Sequence, residues 1–295
     1  MIGRAALGVA AVAAGVGGVS GVVTPAALRA QEAVRPDHTA AMLADSLRLA
    51  GRPWHAAETL LAAARRISDP NAFLLVEAAK AEVNARRYDR AYALLAARPW
   101  LSAYRDGEAV AVLAEAEYGL ERYIDAARHF VAARERAEQG PGSPRAALLA
   151  VRAGVAYEAA GQADSAAAAF AAARGGGLGG IDGWLRVRQA RVTRDTGAAF
   201  RLLNDGPLPP AAARHAQLAR ARALLVAGDT GRAIAAFAEA GKGLEVARLA
   251  LGARDSVRAR AALYELLQRA PLSDDGAAAV PLAQGSLPPR TAAEH

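Results

Sequence analysis

The stretch Gly154-Val-Ala-Tyr157-Glu-Ala-Ala-Gly161-Gln-Ala-Asp164-Ser-Ala166-Ala-Ala-Ala-Phe170 reads as helix, turn, helix. Alanine is the best helix former on both sides, while Gly161 and Asp164 interrupt through positive φ or side-chain capping. After the turn come a small residue, Ala166, and a large one, Phe170, four residues later on the same helical face. The same pair recurs along the chain as Ala56/Leu60, Ala91/Leu95, Ala126/Phe130, Ala199/Leu203, Ala233/Phe237 and Ala259/Leu263. Successive alanines are 35, 35, 40, 33, 34 and 26 residues apart. Each pair follows its own turn: Gly51-Arg-Pro, Arg87-Tyr-Asp, Arg122-Tyr-Ile-Asp, Asp195-Thr-Gly, Gly228-Asp-Thr-Gly and Arg254-Asp-Ser for the other six. The interval of 40 carries an insertion, Gln139-Gly-Pro-Gly-Ser-Pro144, in which Ser143 can cap and Pro144 can open a helix.

A hairpin of two short amphipathic helices cannot bury its apolar faces alone. Stacked hairpins can, and self-similarity at this period is the mark of a solenoid. The chain is therefore expected to be all-α, a right-handed α-solenoid of tandem helix-turn-helix repeats over residues 37–271. Enlarging Ala126 or Ala166 to Leu is expected to overpack the repeat contact by roughly 1–3 kcal/mol, read as a lower urea midpoint. Trp54, Trp100, Tyr157, Phe130, Phe170 and Phe237 are expected in the core.

Of 295 residues, 53% are hydrophobic but only 5% aromatic, and none is Cys. The absence of Cys excludes a disulfide scaffold, a Cys-ligated zinc site, an iron–sulfur cluster and a thiol nucleophile. Five His residues (38, 55, 129, 215 and 295) lie too far apart in sequence to form a metal motif. Thirty-six Lys+Arg against 29 Asp+Glu give a net charge of +7, but only Lys80 and Lys242 are lysines. So Arg-biased a chain is poor support for a nucleic-acid partner.

The N-terminus reads as a targeting segment. Arg4 precedes 24 uncharged residues, 5–28, and small residues lead to Leu28-Arg-Ala30-Gln31. This describes a signal peptide, 1–30, cut after Ala30 or in the Ala26–Ala27 region. The same 24 residues are long enough for an uncleaved membrane anchor. Either way the rest of the chain is expected outside the cytoplasm, in a periplasm or equivalent compartment. At the other end, 272–295 reads as a Pro-rich tail. Thr291 and Glu294 make a capping-box pattern there, which would announce a further helix of a longer protein.

Gly154, Tyr157, Gly161, Ala166, Phe170 and Ala173 match in order the pattern of the tetratricopeptide family. Leu224, Gly228, Asp229, Ala233, Phe237 and Ala240 match it nearly as well, as do Leu47, Gly51, Ala56, Leu60 and Ala63. The resemblance implies that the first helix of each repeat lines a concave groove that binds protein or peptide. A narrower resemblance joins Gly183-Trp-Leu-Arg-Val-Arg-Gln-Ala-Arg-Val-Thr-Arg-Asp195 and Ala221-Arg-Ala-Leu-Leu-Val-Ala-Gly-Asp229 to the superhelical region of soluble lytic murein transglycosylases. It implies a solenoid that orients peptidoglycan for a separate lysozyme-like domain. That family's Glu-Ser and Gly-Leu-Met-Gln motifs are missing from this chain, so no catalytic residue is assigned.

Gly175-Gly-Gly-Leu-Gly-Gly180 satisfies GxGxxG, but an Ala-rich helix rather than a strand precedes it, so it reads as an inter-repeat loop. Glu115 and Glu117, two apart on a helix, point to different sides and read as solvated rather than as a glycosidase pair. One basic run stands out. Between Trp184 and Arg222 lie Arg186, Arg188, Arg191, Arg194, Arg201, Arg214, Arg220 and Arg222, against Asp195 and Asp205. Trp184, Arg188 and Arg191 share a helical face, as do His215 and Arg222 one first-type helix later. Guanidinium groups suit carboxylates and Trp184 suits stacking. Trp184, Arg188, Arg191, His215 and Arg222 are therefore the candidate partner-binding residues. No cofactor, metal or catalytic residue is assigned. The expected function is an exported, non-catalytic scaffold for protein or peptide partners; the alternative is the superhelical part of a transglycosylase acting on peptidoglycan.

Overall fold

The computed structural model describes residues 38–66, 72–137 and 144–286. The segment 1–30 read as a targeting signal, Ser143, Thr291 and Glu294 lie outside the described residues. Helix α1 covers 38–49. It is followed by α2 (Pro53–Ala64), α3 (Ala72–Asn84), α4 (Tyr88–Leu95), α5 (Glu108–Gly119), α6 (Tyr123–Ala137), α7 (Pro144–Ala159) and α8 (Ala163–Arg174). Then come α9 (Asp182–Val192), α10 (Thr196–Asn204), α11 (Ala213–Val226), α12 (Thr230–Glu239), α13 (Gly243–Gly252), α14 (Ser256–Arg269) and α15 (Asp274–Ser286). Among the described residues there is no strand. From α2 onward each helix packs on the next, and α1 joins α2 through Ala44, Ala56 and Leu60.

The helices pair as hairpins, α1/α2 to α13/α14, and every Ala–Leu/Phe pair of the sequence falls on the second helix of its hairpin. All fourteen residues are at most 6% exposed. They seed a string of overlapping cores rather than one nucleus. One spans Ala44 to Ala81, the next Val76 to Ala116, and the last Leu244 to Ala283. Buried side chains are mostly alanine, and the largest of the fully buried ones is Phe170. This is an all-α, solenoid-like fold. Its stability comes from neighbour-on-neighbour contacts.

Two expectations are corrected. The segment placed in a Pro-rich tail forms α15 over most of its length, and α15 packs on α13 and α14. Ala279 and Ala283 reach the same core as Leu263, so the packed array continues past residue 271. Trp54 is not in the core: it is 54% exposed, its ring 5.0 Å from His55 and 5.6 Å from the Arg87 guanidinium. It opens α2 on the outward side, where the face that buries Ala56 and Leu60 does not reach. Phe130, Phe170 and Phe237 are buried as expected, and Trp100 and Tyr157 are half-buried.

Six of the seven hairpin turns are one motif. The second residue after the first helix takes a left-handed φ: Gly51, Arg86, Glu121, Gly161, Gly228 and Arg254. The next amide then bonds back to a carbonyl five residues earlier, as Arg52 to Leu47 at 2.8 Å, Arg87 to Glu82 at 2.9 Å and Asp255 to Ala250 at 2.8 Å. This 6→1 bond satisfies the orphan carbonyls at the helix end. The α9/α10 turn differs: Thr193 is extended, and Asp195 caps α10 by accepting from the Ala198 amide at 3.1 Å. A Cβ in the left-handed region costs about 1–2 kcal/mol. Part of that is offset by glycine's freedom in the unfolded chain. Arg86→Gly, Glu121→Gly and Arg254→Gly, all at exposed positions, are each expected to stabilise by about 0.5–1 kcal/mol. A raised urea midpoint at unchanged m-value is the readout.

Candidate functional site

The face built by odd-numbered helices is where the sequence places its binding residues. Odd helices also approach one another directly, α3 with α5, α9 with α11 and α13 with α15. A ladder of opposite charges crosses this face. Arg48 Nη1 of α1 lies 3.0 Å from Glu77 Oε2 of α3. Lys80 pairs with Glu77 at 2.7 Å and with Glu108 of α5. Glu115 of α5 pairs with Arg152 of α7. Glu158 of α7 takes both Arg188, at 3.3 Å, and Arg191 of α9.

Two of the five candidate residues, Arg188 and Arg191, are thus joined to Glu158 and help fasten α7 to α9. The Arg188 guanidinium also lies 5.7 Å from the buried Phe170 ring centre. Trp184 and His215 meet edge to face, with ring centres 5.1 Å apart and an interplanar angle of 71°. Trp184 is half-buried, with its ring against the α9–α11 core, and His215 is exposed. Arg222, two turns on from His215, is exposed. The structure therefore joins Trp184 to His215 and ties Arg188 to Arg191 through Glu158, and Arg222 stands exposed with no partner among the described residues.

Most of the other arginines in the basic run have partners inside the fold. Arg186, 4% exposed, donates from Nη2 to the Pro207 carbonyl at 2.7 Å and pairs with Asp182 at 3.0 Å. Arg214 donates to the Ala240 carbonyl at 2.9 Å, and Arg220 to Asn204 Oδ1 at 3.0 Å. Arg194 lies 3.6 Å from Asp164 and Arg201 3.8 Å from Asp195. Much of what reads as a basic surface in sequence is connective. The glycine run 175–180 joins α8 to α9, and Gly176 packs so closely that a Cβ there would stand 2.2 Å from the Ala147 Cβ. Close packing on α7 accounts for that glycine.

Glu115 and Glu117 do point to different sides, but neither is free in solvent. Glu117 is 3% exposed, and its Oε2 sits 2.6 Å from His129 Nδ1 of α6. This is a correction: α6 covers the face that the spacing rule left open. The hydrogen bond to Glu117 holds the His129 imidazolium above the ordinary histidine value of 6.5, against the opposing effect of burial. A raised folded value means the protonated form stabilises the fold. That contribution is full below the unfolded value and fades as pH rises through the folded one. Urea midpoints are expected to fall as pH climbs above about 6.5, and His129→Gln to flatten this portion of the profile.

Among the described residues, no group of His, Asp or Glu is placed to hold a metal, and no helix is long and apolar enough to cross a membrane. Compared with protein-family models and with curated proteins, the chain matches none.

Proposed function

We propose that the chain is an exported, non-catalytic scaffold of the tetratricopeptide type that holds a protein or peptide partner on its odd-helix face, around Trp184, His215 and Arg222. The observation that carries this reading is the edge-to-face pair of Trp184 and His215 across α9 and α11. Arg222, two turns along α11 on the same helical face as His215, adds an exposed guanidinium. Aromatic anchors and arginine are the side chains that dominate recognition energetics. Export is supported by the uncharged segment 5–28 behind Arg4.

The test is to screen the purified chain against a peptide array, then titrate the best peptide against wild type, Trp184→Ala and Arg222→Glu. Each variant is expected to weaken binding by about tenfold or more, the loss typical of a hot-spot truncation. Unchanged affinity in both variants removes this face from the assignment. If no peptide binds while cell-wall sacculi pull the chain down, the peptidoglycan reading replaces the peptide one.

A further inference from the structure

We propose that a second cleft, lined by α1, α3, α5 and α7, binds a peptide segment presenting an acidic side chain next to an apolar one. This rests on the reading of the chain as a peptide-binding scaffold but uses different residues. The cleft measures about 690 Å³. Five cations line it, Arg48, Lys80, Arg105, Arg145 and Arg152, against three carboxylates, Asp106, Glu108 and Glu115. The excess is 5 − 3 = +2, and it is unevenly spread. Arg48, Lys80 and Arg152 have carboxylate partners on neighbouring helices. Arg105 lies 3.8 Å from Glu108, with its guanidinium 5.2 Å from the Phe73 ring centre. Arg145 has no carboxylate partner among the described residues, and its Nη2 donates at 3.4 Å to the Arg105 carbonyl.

Arg145 is therefore the least committed cation of the cleft, and it hangs on the backbone that carries Arg105. Stability does not explain Arg145 there. It lies in the first turn of α7, where a cation opposes the helix dipole. The chain carrying Arg105 is also held in an unusual form. Arg105, Asp106 and Gly107 take left-handed φ values of 39°, 52° and 82° in succession. Such backbone persists only where its surroundings enforce it, and it clusters at functional sites. Here the enforcement is visible: a Cβ at Gly107 would stand 3.0 Å from the Ala133 Cα of α6. The same cleft has an apolar side. Leu148, one turn along α7 from Arg145, is 50% exposed within it, with Leu149 and Val112 beside it. A guanidinium without a carboxylate partner, one helical turn from an exposed leucine, fits a carboxylate beside an apolar side chain.

The probe is a short labelled peptide carrying two Glu-Leu pairs in a Gly/Ser background, titrated by fluorescence anisotropy against the full chain. Wild type is expected to bind it and not the matching Lys-Leu peptide. Arg145→Glu is expected to weaken binding by about tenfold or more, and Leu148→Ser by a smaller factor. Trp184→Ala is expected to leave affinity unchanged. Both cleft residues are well exposed, so helical circular dichroism should match wild type in each variant. The proposal is overturned if wild type does not bind the Glu-Leu peptide, or if Arg145→Glu binds it as wild type does. Loss of binding in Trp184→Ala without loss in Arg145→Glu also overturns it, and in that case the site around Trp184, His215 and Arg222 stands by itself.

Discussion

Phe170→Ala is expected to cost about 3–5 kcal/mol of unfolding free energy, the upper range for a core truncation. Phe170 is fully buried and is the largest such side chain. Its core neighbours include Ala150, Ala166 and Ala173, with Leu185 from the next repeat. Alanines have no rotamers with which to fill a void, so the cavity should persist rather than collapse. Gly154 makes the same point from the other side. A Cβ at that position would stand 2.6 Å from a carbon of the Phe170 ring. Alanine is the better helix former by roughly 0.8–1 kcal/mol, yet Gly154→Ala should still destabilise, because the ring that must move is packed on every side. In Phe170→Ala the clash vanishes, and Gly154→Ala should then become neutral or stabilising. Urea unfolding of wild type, both single variants and the double variant reads the coupling. Additive effects would mean that the two residues do not form the repeat's central contact.

The repeat architecture was legible because its signal is periodic and local. Gly154, Gly161, Ala166 and Phe170 each answer to one physical demand: close approach, left-handed φ, small and large. Those demands recur whichever neighbours surround them. The turns at Arg86 and Glu121 show that the geometry tolerates a non-glycine, which is why glycine spacing by itself under-reports the hairpins. The candidate site was only half legible. A helical face shows which residues point the same way, as with Arg188 and Arg191, which both reach Glu158. It does not show what faces them. Glu158 lies 33 residues before Arg191, about one repeat earlier, and Glu77 and Lys80 meet Arg48 and Glu108 across 29 and 28 residues. Opposite charges one repeat apart were the available signal, because stacking brings equivalent positions of successive odd helices side by side. The Arg105–Arg145 meeting had no such signal, since it depends on three left-handed residues in a row.

Arg188→Glu with Arg191→Glu tests the fold before it tests binding, because both arginines pair with Glu158. Both guanidiniums flank Glu158, whose side chain is 17% exposed, while theirs are 34% and 28% exposed. Reversal would gather three carboxylates in one partly buried place and strip the cation from the Phe170 ring. Breaking a buried pair by removing its partner costs roughly 3–5 kcal/mol, and partial exposure lowers that, so about 2–4 kcal/mol is expected here. For a chain of this size that is a fall of several degrees in Tm. Adding Glu158→Arg to the reversed pair should restore attraction and recover a good part of the loss. Recovery in the triple variant identifies the charge contact as the cause, whereas no recovery would assign the loss to packing around Phe170. Lost partner binding in the double reversal is therefore ambiguous, because α9 would no longer be fastened to α7. Arg222→Glu carries no such penalty: its side chain is exposed. If Arg222→Glu keeps wild-type stability and loses the partner, the odd-helix face is the binding surface; if it loses neither, that surface lies elsewhere on the array.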